Sequence, residues 1–431
     1  MLQLNYKQKG FQRKLDAFCD TAPDQKIAQA VAEIIADVRD RGDAAVVYYT
    51  DKFDHAKLAP QALRVAPKIL RQAAKRLSPE IRSAIDEAGK NIRAFHQKTL
   101  PKTWTARNAH GARVGEIFHP LNRCGIYIPG GEAPLVSSVL MSGILAQLAG
   151  VPQIAAFTPP QPDGRPNSAI CAALNICGIG EVYAIGGVQA IAAMAFGTET
   201  IPAVDKIFGP GNAYVCEAKR QVFGHVGVDL LPGPSEVMVI ADDSARPEWV
   251  AASLLAQAEH GTGREKLYLL ALDSKLVNAV IGAAKEQLAT LPRAGKMRPV
   301  VERNLCAIIV PDLSRAAEVA NRIAPEHLEL QVAPGEVAVL LKQITTAGAI
   351  FAGHYTPTVL GDFTAGPSHT LPTGRTGRFF SGLQVTDFMR RTSLVEYSPA
   401  SLKKAAATVT TFSALEGLDA HARSLAVRLE G

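Results

Sequence analysis

The chain has 431 residues, of which 47% are hydrophobic and 20% charged, and it carries a net charge of +6. That length exceeds one ordinary core and implies two large domains with smaller additions. The charge is spread rather than gathered into a basic stripe, which argues against a nucleic-acid partner, and no apolar run reaches the roughly 20 residues of a membrane span.

The opening MLQLNYKQKGFQRKLDAF has basic residues but no apolar stretch behind them, so it does not read as a secretory signal. The six cysteines, at positions 19, 124, 171, 177, 216 and 306, form no CxxC pair. They suit reduced, mostly buried thiols in a cytoplasmic protein.

Residues 1–100 read as helical: KIAQAVAEIIADVRD (26–40) and PEIRSAIDEAGKNIRAFHQKT (79–99) keep apolar residues three and four apart. From residue 124 the pattern changes to short apolar runs bounded by Gly or Pro, namely CGIYI, QIAAF, EVYAI, DKIF and VDLL, with helix-like segments between them. A second series follows in EVMVIAD, KLYLLAL, LCAIIVPD, HLELQV and GAIFAG. Such alternation implies parallel sheets covered on both faces, hence two consecutive α/β domains. The helical N-terminal region is expected to pack on the second series. The tail after residue 384 is expected to be helical, without strands, and to stand apart.

The first series lacks the G-x-G-x-x-G fingerprint. It has instead three glycine-marked loops after strands, IPGGEAP (128–134), IGGVQA (185–190) and FGPGNA (208–213). Parallel sheets bind ligands at the carboxyl ends of their strands, where Tyr127, Gln189 and Asn212 would meet a flat, polar, nucleotide-like group. Each loop taken singly reads first as a plain turn; three on successive strands point to a ligand.

Four further contexts carry metal-ligand and acid–base residue types. Gln257 and His260 lie three apart at the end of a helix expected over 246–260, on one face or as a polar helix end. Glu326 and His327 open the strand HLELQV; neighbours on a strand point opposite ways, though a first residue can still turn both toward one cleft. Asp362 lies in a long glycine-rich stretch with His369 as a weaker ligand candidate. Glu416 and His421 are five apart, about 140° around a regular helix, so they converge only if Gly417 breaks it and Asp419 caps a new one. Ser235, in LPGPSEV, is either a turn cap or a ligand contact between the two series. Cys124 has only Arg123 beside it to lower its pKa, so burial is the better reading than a nucleophile.

Together the stretches YIPGGEAPLVSSVLM, FGPGNAYVCEAKRQV, DLLPGPSEVMVIAD, LLAQAEHG, APEHLEL and DFTAGPSHTLPT resemble the histidinol dehydrogenase family over residues 25 to 429. The resemblance implies two incomplete Rossmann-like parallel-sheet domains with small helical N- and C-terminal appendages. Residues 1–24 would be the first appendage. Residues 25–126 with 236–383 would form the larger domain, with the metal and acid–base residues. Residues 127–235 would bind NAD, and 384–431 would be a tail exchanged within a homodimer. It implies oxidation of L-histidinol to L-histidine through the aldehyde with two NAD. Gln257, His260, Asp362 and His421 would hold one zinc per subunit, and Glu326 and His327 would be the acid–base pair. Tyr127, Gln189 and Asn212 would contact NAD. Ser235 and Glu416 would contact substrate alongside the metal ligands and His327. Nitrogen and oxygen ligands also suit manganese or cobalt. Three rivals remain: a paralogous zinc- and NAD-dependent polyol or amino-alcohol dehydrogenase, an aldehyde dehydrogenase using Cys124, and a nucleotide-binding regulator.

Overall fold

The computed structural model describes residues 1–20, 25–130 and 134–430. Both apolar series form parallel sheets. The first gives five strands in the order Glu181–Ala184, Gln153–Thr158, Arg123–Tyr127, Lys206–Phe208 and Gly227–Val228. The second gives six, in the order Leu2–Asn5, Leu305–Ile309, Lys266–Ala271, Glu236–Ala241, His327–Gln331 and Ala349–Ala352. Central strands such as Glu236–Ala241 and Lys266–Ala271 are buried at every residue. This is why they appear in the sequence as continuous apolar runs rather than alternating ones. Helices lie on both faces of each sheet and complete four apolar clusters.

Both sheets have a point where the strand order turns back. In the five-stranded sheet it lies between Arg123–Tyr127 and Lys206–Phe208; in the six-stranded sheet it lies between Glu236–Ala241 and His327–Gln331. Chain crossovers leave in opposite directions there and open a crevice.

Three expectations need correction. The first residues are not wholly helical: Leu2–Asn5 is an edge strand of the six-stranded sheet, followed by the helix Phe11–Cys19. Nor do the helices between Gln25 and Gln97 pack on the second series. Val31, Ile34 and Val38 join the cluster of Phe157, Tyr183 and Ile191, while Ile85 and Ile92 join that of Ile126, Val139 and Ile144, so these helices cover the five-stranded sheet. Of the described helices before residue 100, Phe11–Cys19 is the one that joins the apolar cluster of the second sheet. Finally, the tail contains a strand. Met389–Glu396 pairs antiparallel with Arg113–Pro120, which also pairs with Trp104–Arg107. This small sheet is mostly exposed, so it has no apolar run to mark it.

Beyond that strand lie the helices Pro399–Leu415 and Asp419–Ala426. Among the described residues, none beyond Met389 joins any of the four apolar clusters. The tail leaves Phe412 57% and Leu415 79% exposed. No helix among the described residues is long and apolar enough to cross a membrane.

Candidate active site

Glu326 and His327 are both held by the backbone of one residue, Glu236. The Glu236 N–H donates to Glu326 Oε2 at 2.8 Å, and the Glu236 carbonyl lies 3.0 Å from His327 Nδ1. Glu236 and His327 are the first residues of adjacent strands at the switch of the six-stranded sheet, and Glu326 sits just before its strand. The two side chains are thus gathered at the amino edge of this sheet, not at the carboxyl edge where crevices in such sheets usually lie.

A carbonyl only accepts, so Nδ1 of His327 carries the proton and Nε2 keeps its lone pair. Burial lowers the His327 pKa to about 4, and the nearby imidazoles of His260 and His369 also oppose its protonation. At neutral pH it is therefore a neutral imidazole with Nε2 available as a base. Burial pushes Glu326 well above the usual carboxylate range, against the Glu236 N–H that favours its charged form; Glu236 and Asp362 add repulsion, and a hydrogen bond from the Ser235 side chain opposes it. Ser235 and Asp362 therefore belong to the surroundings of Glu326. Glu236 itself is pushed up to about 7 by burial, moderated by Lys266.

Gln257 is 3% exposed and its Nε2 has no hydrogen-bond partner. The helix that carries it is Pro247–Ala258, shorter than expected, so His260 lies in the turn beyond, with its N–H donating to the Gln257 carbonyl at 3.4 Å. Asp362 sits on a short helix, Val359–Phe363, inside the stretch that shows no periodicity. Burial raises its carboxyl to about 6, with no cation offsetting it. His369 takes a different role: its Nε2 lies 3.1 Å from Ser137 Oγ at the start of the helix Val136–Ala149, which ties the glycine-rich stretch to the five-stranded sheet's own layer.

Glu416 and His421 are not brought to this cluster by their own chain. They lie in a groove of about 580 Å³ lined only by tail residues, among them Phe412 and Leu418. Gly417 does break the helix, at φ +68, but Leu418 rather than Asp419 occupies the cap and Asp419 lies in the first turn. Among the described residues no group of three or more His, Cys, Asp or Glu is gathered to hold a metal. The residues nevertheless fit zinc by chemistry: the half-buried Asp362 carboxyl with no cation beside it, the Gln257 amide oxygen and the His260 imidazole supply oxygen and nitrogen donors.

The second crevice lies at the carboxyl edge of the five-stranded sheet. Tyr127 ends one switch strand, and its hydroxyl oxygen accepts the Gly187 N–H at 3.1 Å. Gln189 is 1% exposed with both amide atoms unpartnered. A buried amide left unsatisfied is costly, so it suits a polar ligand. Asn212 Oδ1 caps the helix Ala213–Val222, accepting from Tyr214 and Val215 N–H at 3.0 and 3.1 Å. Gly209, at φ +110, passes so close to Tyr127 that an added Cβ would lie 2.0 Å from its carbonyl oxygen. These features fit a dinucleotide at a switch point, with a helix N-terminus beside it. The IPGGEAP loop falls partly outside the described residues, at 131–133.

Sequence reasoning misses the Lys219–Asp229 pair, buried to 0% and 1%. Asp229 Oδ2 accepts the Gly209 N–H at 2.8 Å, and Lys219 Nζ donates to the Gly209 carbonyl at 3.0 Å. Two charges ten apart on different elements leave no local signal. It also misses Glu236, whose part is played by its backbone. Cys124 is 0% exposed and burial pushes its thiol up to about 12, which removes it as a nucleophile.

The histidinol dehydrogenase family profile matches residues 20–429. The histidinol dehydrogenase of Heliobacterium mobile is 45% identical over 410 residues, covering 95% of each chain. That of Rhizobium meliloti (strain 1021) is 44% identical over 430 residues, covering 99% of this chain and 98% of its own. The crystal structure of histidinol dehydrogenase from Elizabethkingia anophelis superposes with a TM-score of 0.93 at 35% identity, covering 100% of this chain and 98% of that one. With match and fold both running the full length, the chain belongs to the histidinol dehydrogenase family, oxidoreductases of histidine biosynthesis.

Proposed function

We propose that the chain oxidises L-histidinol through L-histidinaldehyde to L-histidine with two NAD and one zinc per subunit, as a cytoplasmic homodimer. The observation that carries this reading is the backbone of one residue, Glu236, whose N–H and carbonyl hold Glu326 and His327. Gln257, His260 and Asp362 would hold zinc together with His421 of the partner subunit. Tyr127, Gln189 and Asn212 would meet NAD in the unit built on the five-stranded sheet. That unit begins before residue 127, since Arg123–Tyr127 is its central strand and the helices between Gln25 and Gln97 cover it. Ser235, Glu416 and the zinc ligands would position histidinol beside His327. The exposed apolar residues of the tail support its exchange between subunits, since Phe412 and Leu415 find no cover in their own chain's clusters.

When bound, zinc supplies orientation of the amino alcohol and NAD supplies the hydride acceptor. Nε2 of His327 takes the hydroxyl proton as the first hydride leaves, because Nδ1–H is committed to the Glu236 carbonyl. Glu326 then takes a proton from the water that adds to the aldehyde, while His327 returns its proton to the aldehyde oxygen to complete the hydrate. The freed Nε2 takes the hydrate proton as the second hydride leaves. One buried pair serves both steps, so the aldehyde need not reach solvent.

A His327→Asn variant tests this reading. It should lose about 10²- to 10⁴-fold in turnover while retaining zinc and NADH binding. Unchanged turnover would remove His327 from the base role. A paralogous polyol or amino-alcohol dehydrogenase is the less favoured reading, and activity on those alcohols without histidinol turnover would support it.

A further inference from the structure

The strand His327–Gln331 is buried on both faces. Alternation sends Leu328 and Leu330 into the apolar cluster of Ile240, Ile308 and Ile323, and leaves His327, Glu329 and Gln331 on the other face. Three buried polar side chains on one face need partners inside the protein. His327 has the Glu236 carbonyl. Glu329, 1% exposed, accepts from Thr358 twice through Oε1, from the backbone N–H and from the hydroxyl, both at 2.7 Å. Its other oxygen accepts from Gln331 Nε2 at 3.1 Å, and Gln331 Oε1 lies 3.1 Å from His354 Nδ1.

Thr358 is the cap residue of the helix Val359–Phe363, and the Asp362 N–H reaches its carbonyl at 3.4 Å. The same helix is pressed onto the next strand: a Cβ on Gly361 would lie 2.6 Å from the Phe351 ring, whose centroid is 6.0 Å from that of His327. A five-residue helix has little rigidity of its own. Its placement rests on these two supports at its start and middle and on Asn91 Nδ2, which donates to the carbonyl of its C-terminal cap, Thr364, at 2.9 Å. Glu329 touches neither the acid–base pair's reacting atoms nor any proposed donor atom.

We propose that Glu329 is a positioning residue: by fixing Thr358 it sets the helix that presents Asp362 against the strand that presents His327. The proposal rests on the reading of Asp362 as a zinc ligand. Residues that orient a ligand typically change metal affinity about 10- to 100-fold when removed.

The test is zinc affinity of the full-length protein, measured by competition with a chelating dye, alongside NADH affinity. Glu329→Ala is expected to weaken zinc about 10- to 100-fold and leave NADH affinity unchanged. Glu329→Gln, whose amide oxygen still accepts from Thr358 and whose NH₂ can face a reversed Gln331 amide, is expected to stay within about threefold of the parent. Thr358→Val removes one donor without opening a cavity, so it tests the same link if Glu329→Ala does not fold; a loss of about threefold to tenfold is expected. Parent-like zinc affinity in Glu329→Ala or Thr358→Val, with zinc lost in Asp362→Ala, overturns the positioning role and leaves the zinc reading standing. Equal loss of zinc and NADH affinity in both Glu329 variants also overturns it, as a general packing role. Retention of zinc by Asp362→Ala overturns the zinc reading itself.

Discussion

Replacing Asp229 by Ala should be among the most damaging single changes outside the reacting groups. The carboxylate lies in a space where its partner Lys219 has no exposed surface, and it holds the Gly209 N–H at 2.8 Å. Removing it leaves a buried ammonium with only the Gly209 carbonyl at 3.0 Å. Breaking a buried pair from one side costs about 3–5 kcal/mol. The orphaned N–H adds to this, within a total that is not additive because both losses fall on one residue. The site should feel it as well. Gly209 leads into Asn212 and the first turn of Ala213–Val222, so the loop proposed to face NAD loses its clamp. Urea unfolding of Asp229→Ala should show a midpoint shift equivalent to about 3 kcal/mol or more at unchanged slope, with weakened NADH binding. The double variant Lys219→Met/Asp229→Asn removes both charges and keeps an acceptor for Gly209, so it should recover most of the stability. A cost below about 1 kcal/mol for Asp229→Ala, or a double variant no better than the singles, would refute the reasoning.

His96 gives an acid-stability prediction. It is 2% exposed with neither ring nitrogen partnered, and burial lowers its pKa from 6.5 to about 4. Between those values the unfolded chain binds the proton and the folded one does not, so stability falls as pH drops from about 6.5 to 4. The shift limits this loss to about 3 kcal/mol. His96→Leu should flatten that limb in unfolding curves at pH 7 and pH 4; an unaltered limb would contradict the assignment. Tail exchange predicts complementation. His327→Asn and His421→Ala homodimers should each be nearly inactive, yet co-refolded mixtures should regain about a quarter of parent activity, because half the dimers carry one intact shared site. Mixtures that stay inactive would place both residues in sites made by one chain. Cys124→Ala should leave turnover within about twofold, since a buried thiol at high pKa takes no part in the chemistry; loss of burst and turnover together would revive a covalent route.

The two parallel sheets are legible because their central strands, such as Glu236–Ala241, are buried throughout and therefore written as apolar runs between glycines and prolines. The antiparallel sheet is not. Trp104–Arg107 is exposed at every residue, so it shows no burial pattern to read. Leu2–Asn5 is hidden for another reason: four residues with one buried side chain are too few to show a period. The helices 25–97 are plain as helices, but which sheet they cover depends on tertiary shape that periodicity does not encode. At the site, residue types and motifs name the participants, while their geometry is long-range. Glu326 and His327 are joined through the backbone of a residue about ninety positions away, and Glu329 accepts from Thr358 on another element. The break at Gly417 is legible from glycine alone, whereas the groove of tail residues that holds His421 is not.

The central claim is tested most directly by counting NADH formed per L-histidinol consumed, before and after chelation and after zinc return. About two NADH per substrate, abolished by the chelator and restored by zinc, is the predicted result. One NADH with free aldehyde in solution would contradict the two-step site. No turnover by folded, zinc-replete protein would contradict the reaction itself.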